Sequence, residues 1–94
     1  MINQTRKHIN ITISGRVQGV GYRYSARSVA KYMNITGFAR NIPGNKVYIE
    51  AEGDESKLKE FVEWCHKGPA NCKVDSVAIL PGEFISFDDF EVRF

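Results

Sequence analysis

Not one aspartate or glutamate occurs among residues 1–49 of this 94-residue chain, although that stretch carries 8 Lys and Arg. All 11 acids and the other 5 basic residues fall in residues 50–94. The two halves thus carry +8 and −6, hidden within a formal net charge of +2. A basic half points to an anionic partner: nucleic acid, a membrane headgroup or a small phosphate. Its lack of carboxylates disfavours a carboxylate metal cage or a paired-carboxylate acid–base site there. Two cysteines are too few for a disulfide scaffold. No apolar run approaches the ~20 residues of a membrane span. The stretch Met1 to His8 has a basic pair but no apolar segment after it, so no secretory leader is expected. A cytoplasmic protein with one domain over residues 1–94 is the expectation. At 43% apolar and 26% charged, the composition excludes a disordered chain.

What is present is a clear alternation of patterns. Ile9, Ile11 and Ile13 alternate with Asn10 and Thr12, so His8–Ser14 reads as a half-buried strand with His8 on its polar face. A loop with glycines at 15, 19 and 21 follows. Ala26, Val29, Ala30 and Met33 fall at i, i+3, i+4 and i+7, which predicts an amphipathic helix over Tyr22–Met33. Asn34 suits a left-handed position at its end. Gly37–Ile42 and the alternating Val47, Ile49 and Ala51 predict two strands hairpinned through Pro43-Gly44-Asn45. Asp54 is placed to cap a second helix, whose stripe is Leu58, Phe61, Val62 and Cys65. Gly68-Pro69 stops it. Cys72–Leu80 predicts a fourth strand, with Val77 and Ile79 on one face and Val74 and Ala78 on the other. Asp89–Phe94 predicts a short last strand. The order β-α-β-β-α-β is that of the ferredoxin-like, split βαβ α+β sandwich. Two helices should cover one face of a mostly antiparallel four-stranded sheet, with a short fifth strand possible. That order alone fixes no function.

The start of the first helix breaks two rules. It has no Ser, Thr, Asp or Asn cap and no acid in its first turn. Instead Arg23 sits at the positive end of the helix dipole, and the backbone N–H groups lack a side-chain acceptor. An external anion would resolve both conflicts. Glycines 15, 19 and 21 permit a concave run of N–H donors, and Arg23 adds a planar fork for phosphate oxygens. The competing reading is a tight turn with a solvated arginine. The G-x-x-x-x-G-K-[ST] and G-x-G-x-x-G patterns are absent. Val17 stands where a phosphatase nucleophilic cysteine would be needed, so no covalent phospho-enzyme forms by that route. Without a general acid, such a loop suits a substrate whose leaving group departs unaided, which makes an acyl phosphate the natural class. A neutral side chain should then hold the attacking water. Asn41 is a candidate, against a plain role as a turn initiator before Pro43.

Gly15-Arg-Val-Gln-Gly-Val-Gly-Tyr-Arg23 resembles the first signature of the acylphosphatases, G-x-V-Q-G-V-x-[FY]-R. Gly37-Phe-Ala-Arg-Asn41, followed by Val47 and Gly53, resembles the second. The resemblance spans nearly the whole chain. It implies a hydrolase without metal or cofactor that splits acyl phosphates into a carboxylate and inorganic phosphate. By matching, Arg23 and the backbone N–H groups of Gln18, Gly19, Val20, Gly21, Tyr22 and Arg23 bind phosphate. Asn41 orients water, and Gly15 helps shape the loop. Tyr22 fits the first signature but departs from the family's more usual Phe or Met by its hydroxyl. Gly44-Asn45 replaces the usual Asp-Gly of the hairpin, which Asn tolerates because it accepts positive φ.

The other candidates read as structural. His8 and His66 are too far apart in sequence to suggest a metal site. Cys65 completes an apolar stripe as a core thiol. Cys72 could reach it, but a reducing compartment favours free thiols. Trp64, Phe84, Phe87, Phe90 and Phe94 read as packing residues. The rival function is a non-catalytic RNA- or anion-binding module on the same fold, yet the full RNA-recognition signature is missing. The expected partners are therefore a small acyl phosphate and inorganic phosphate. No nucleic acid or membrane is expected, and the chain is expected to act as a monomer.

Overall fold

The structure is a computed structural model that describes residues 6–94. The reading of the first five residues as free of an apolar leader lies outside the described residues. The elements follow in the order β1 (Arg6–Arg16), α1 (Tyr22–Tyr32), β2 (Thr36–Ile42), β3 (Lys46–Asp54), α2 (Glu55–Lys67), β4 (Lys73–Pro81) and β5 (Phe90–Arg93). The sheet has five strands in the order β4-β1-β3-β2-β5. Every pairing is antiparallel except that of β5, which runs parallel to β2. The short fifth strand is thus part of the sheet.

One sheet face is apolar because the period-two pattern makes it so. Ile11, Ile13, Val47, Ile49 and Ala51 are all fully buried. Ala26 and Ala30 of α1 and Leu58, Phe61 and Cys65 of α2 close over the same core. The small alanines let α1 approach the sheet closely, while Phe61 supplies bulk and packs edge-on against Phe90. α1 ends one residue short of the expected Met33, which instead caps it. Asn34 then turns left-handed at φ 57, as its position implied.

Four expectations need correction. Asp54 sits at the N-cap of α2, but its side chain makes no capping bond and its Oδ1 is buried without a partner. Val74 does not face away from Val77. A bulge at Ser14/Gly15 skips Asp75, so Ser14 pairs with Ser76 and Gly15 with Val74. That one-residue slip turns Val74 onto the core side, where it packs. Phe84 and Phe94 are exposed rather than packed, at 50% and 92%. Finally, the polar face of β1 is not open at its start. His8 is buried, because the segment after β4 folds back over it and Gly82 N–H donates to the His8 carbonyl.

Candidate active site

The bulge lies at Ser14/Gly15, just before β1 ends at Arg16 and gives way to the glycine loop. Gly19 and Gly21 take φ of 75 and 77. Nothing lies within 4 Å of a Cβ built on either, so the requirement is conformational and not steric. Gly21 is the N-cap of α1 in the left-handed region, and no side chain caps the helix. The first turn holds no acid. The conflict seen in the sequence therefore persists in the fold: an uncapped helix start faces outward with Arg23 beside it.

Gln18 fixes this loop in place. Its Nε2 donates to the carbonyls of Ile42 at 2.9 Å and Lys46 at 2.8 Å, at either end of the β2–β3 hairpin turn. In that turn Gly44 and Asn45 both take positive φ, at 89 and 57, so the Asn is accommodated. The sequence suggested Gln18 only as a backbone donor, and its side-chain role escaped notice. No local signal could have found it, since its partners lie 24 and 28 residues away.

Asn41 is exposed and pairs with Val47, which in turn pairs with Ile13. Val47 and Ile13 belong to the helix-bearing face, so Asn41 lies on that face in the row two residues before Gly15. Arg23 reaches the same end from α1. Its Nη1 donates to the Arg93 carbonyl at 2.8 Å, and Arg93 sits in register with Arg40, the neighbour of Asn41. The Phe94 ring lies 4.7 Å from the Arg23 guanidinium. Loop, arginine and asparagine thus converge on one end of the sheet. The Arg93 carbonyl is a second feature that sequence reasoning missed.

Tyr22 is different. Its side chain points into the core, where its hydroxyl donates to the Cys65 carbonyl at 2.8 Å. Burial, with the nearby Cys65, raises the phenol above its ordinary range and keeps it neutral. Only its backbone belongs to the loop. Val17 and Val20 likewise anchor the loop by packing on the core. Burial pushes the Cys65 thiol up to about 12, and both cysteines are free.

The absence of acids needs one amendment. Asp75, the residue skipped at the bulge, lines a depression of about 530 Å³ together with Ser14, Gly15, Gln18 and Asn45. Folding thus brings one carboxylate beside the rear of the loop, in a depression that neither Arg23 nor Asn41 lines. Among the described residues, no group of three or more His, Cys, Asp or Glu is arranged to hold a metal ion.

Known proteins match this architecture over its full extent. The acylphosphatase family profile matches residues 9–92. This chain belongs to the acylphosphatase family. It is 46% identical over 82 residues to an acylphosphatase of Marinobacter nauticus, covering 83% of this chain and 89% of that protein. It is 49% identical over 79 residues to one of Legionella pneumophila, covering 81% and 87%. A solved acylphosphatase from Coxiella burnetii superposes with a TM-score of 0.92 at 30% identity, covering 99% and 100% of the two chains. The ferredoxin-like α+β fold of this acylphosphatase is therefore the one expected from its element order.

Proposed function

We propose that this acylphosphatase hydrolyses small acyl phosphates by cradling the phosphate in the loop from Gln18 to Arg23 and aiming water with Asn41. The uncapped, glycine-shaped helix start beside Arg23 is the observation that carries this reading. Backbone donors and the guanidinium meet the phosphoryl oxygens and stabilise charge in transfer. Water bound by the Asn41 side chain attacks phosphorus while the phosphorus–acyl oxygen bond breaks. The carboxylate departs with that electron pair, and the water proton passes to phosphate or solvent. A carboxylate needs no general acid to leave, which suits a site whose own residues include none. Asp75, at the rear of the loop, lines a depression that neither Arg23 nor Asn41 lines and takes no part in this step.

Residues 1–94 act as one domain and as a monomer in the cytoplasm, without metal, nucleic acid or membrane as partner. The neutral and cationic make-up of residues 15–23 and Asn41 supports the metal-free part of this reading. No helix among the described residues is long and apolar enough to cross a membrane.

The test is hydrolysis of benzoyl phosphate by the wild type, Arg23→Gln and Asn41→Ala, with and without chelator. Each variant should lose on the order of a hundredfold or more in turnover, as for removal of one transition-state donor. Chelator should change nothing, and inorganic phosphate should compete with substrate. Wild-type turnover in both variants would show that the site lies elsewhere.

A further inference from the structure

Away from the phosphate loop, on the sheet face opposite the helices, lies a buried charged cluster that the reaction above does not use. Glu52 is fully buried. It accepts backbone N–H bonds from Ile85, Ser86 and Phe87, the latter two at 2.9 Å. It also meets His8 Nδ1 at 2.7 Å. The other ring nitrogen, Nε2, lies 3.1 Å from Glu50 Oε1 and 2.9 Å from Asn10 Oδ1. Both ring nitrogens therefore face carboxylates, which only accept. A neutral imidazole has one N–H and would turn a lone pair toward one of them. Two carboxylates against the two ring nitrogens favour the imidazolium. Burial alone opposes that charge, but Glu52, Asn10 and Glu50 together raise the His8 pKa above its ordinary value.

We infer that His8 and Glu52 are positioning residues for the phosphate site, acting through the 82–89 segment and β5 on the acceptor that aims Arg23. The route is continuous. Phe87, held through its own N–H, stacks near the His8 ring at 6.0 Å and meets Phe38 edge-on at 5.9 Å. The Arg93 guanidinium lies 4.0 Å from the centre of the Phe38 ring. Asp89 O accepts from Gly37 N at 2.9 Å, which starts the pairing of β5 with β2. Arg93 then presents its carbonyl to Arg23. β5 is only four residues long and lies at the edge of the sheet, so its own ladder is a weak hold. Three N–H bonds into one buried carboxylate, shortly before that strand, supply the missing anchor.

The inference rests on Arg23 as the phosphate ligand and makes a separate demand. The groups facing His8 are Glu50 and Glu52 from β3, Asn10 from β1 and the apolar Phe87 from the covering segment. Tyr48 holds Glu50 by donating its hydroxyl to Oε2 at 2.8 Å. Loss of the His8 proton leaves a lone pair against a carboxylate, loosens the segment and frees Arg23. The affected quantities are KM and the inhibition constant of inorganic phosphate, both of which report on Arg23 aim.

The experiment follows both constants for benzoyl phosphate hydrolysis as pH rises, in wild type, His8→Gln, Glu52→Gln and Arg23→Gln. In wild type both constants should climb together above the raised His8 pKa. In His8→Gln and Glu52→Gln they should start between about tenfold and a hundredfold higher, the scale of a misplacement of about 1 Å. His8→Gln should also lack the alkaline rise. Folded His8→Gln and Glu52→Gln proteins with wild-type constants and an unchanged alkaline limb would overturn the inference, even with Arg23→Gln inactive. Full activity of Arg23→Gln would instead overturn the phosphate-site reading. Should either clasp variant fail to fold, imidazole nitrogen NMR of the wild type decides. It should show both His8 nitrogens protonated at neutral pH, and a single proton there would overturn the inference.

Discussion

At the scale of single residues, the site was legible where the sequence contradicts itself. Arg23 at the positive end of a helix and glycines where a cap should stand are local conflicts, visible without a structure. Gln18 and the Arg93 carbonyl were not legible, because each acts on a partner distant in sequence. Tyr22 gives a clean prediction. Replacing it by Phe removes the bond to the Cys65 carbonyl inside the core. The cost should be about 1 kcal/mol, or roughly 4–8 °C in Tm, measured by calorimetry. Thiol chemistry gives another. Cys65 is fully buried with its pKa pushed up by desolvation, while Cys72 is half-buried and free. Native protein should take up one equivalent of alkylating reagent at Cys72, and a second only after denaturation. Rapid double labelling of the folded protein, read by mass spectrometry, would contradict this.

At the scale of elements, both helices, β1 and β3 were legible because their apolar periods are strict, and β2 through the turn that hairpins it to β3. The bulge was not. It exists only as a mismatch between β1 and β4, and nothing in β4 alone marks Asp75 as the extra residue. For the same reason Val74 was assigned to the wrong face. A single side chain, that of Gln18, ties the loop between β1 and α1 to the β2–β3 hairpin. Gln18→Met should therefore act on two observables at once. It gives up two hydrogen bonds, with a stability loss of about 1–3 kcal/mol in denaturant titration. It should also raise KM for acyl phosphate, since the N–H groups of the loop no longer hold one arrangement. A variant that loses stability yet keeps its KM would show that the tether does not shape the cradle.

At the scale of the whole molecule, the charge split of the sequence becomes a division of labour. The acid-free half supplies the proposed phosphate site, and the acidic half supplies Glu50 and Glu52, which neutralise the buried His8. The pairing was illegible because His8 and Glu52 lie 44 residues apart on facing strands. It makes stability depend on pH in a definite sense. The His8 pKa is raised above 6.5, so its contribution is full below that value and is lost as pH climbs through the raised one. Burial opposes the Glu52 charge, but His8 and the backbone donors outweigh it and hold the pKa below 4.5. The Glu52 contribution is therefore full above 4.5 and lost as pH falls through the lowered value. Urea unfolding of wild type minus His8→Gln should give its largest difference between these limits and shrink on both sides. A difference that is flat across pH would remove the ion pair from the account. The contact from Arg23 to Arg93 spans 70 residues and crosses from the first helix to the last strand. On a ribosome, the arginine emerges 70 residues before its acceptor. A nascent chain can thus fold its three central strands and still lack the contact that aims the guanidinium. Catalytic competence should therefore wait for β5, although the other four strands and both helices precede it in the chain.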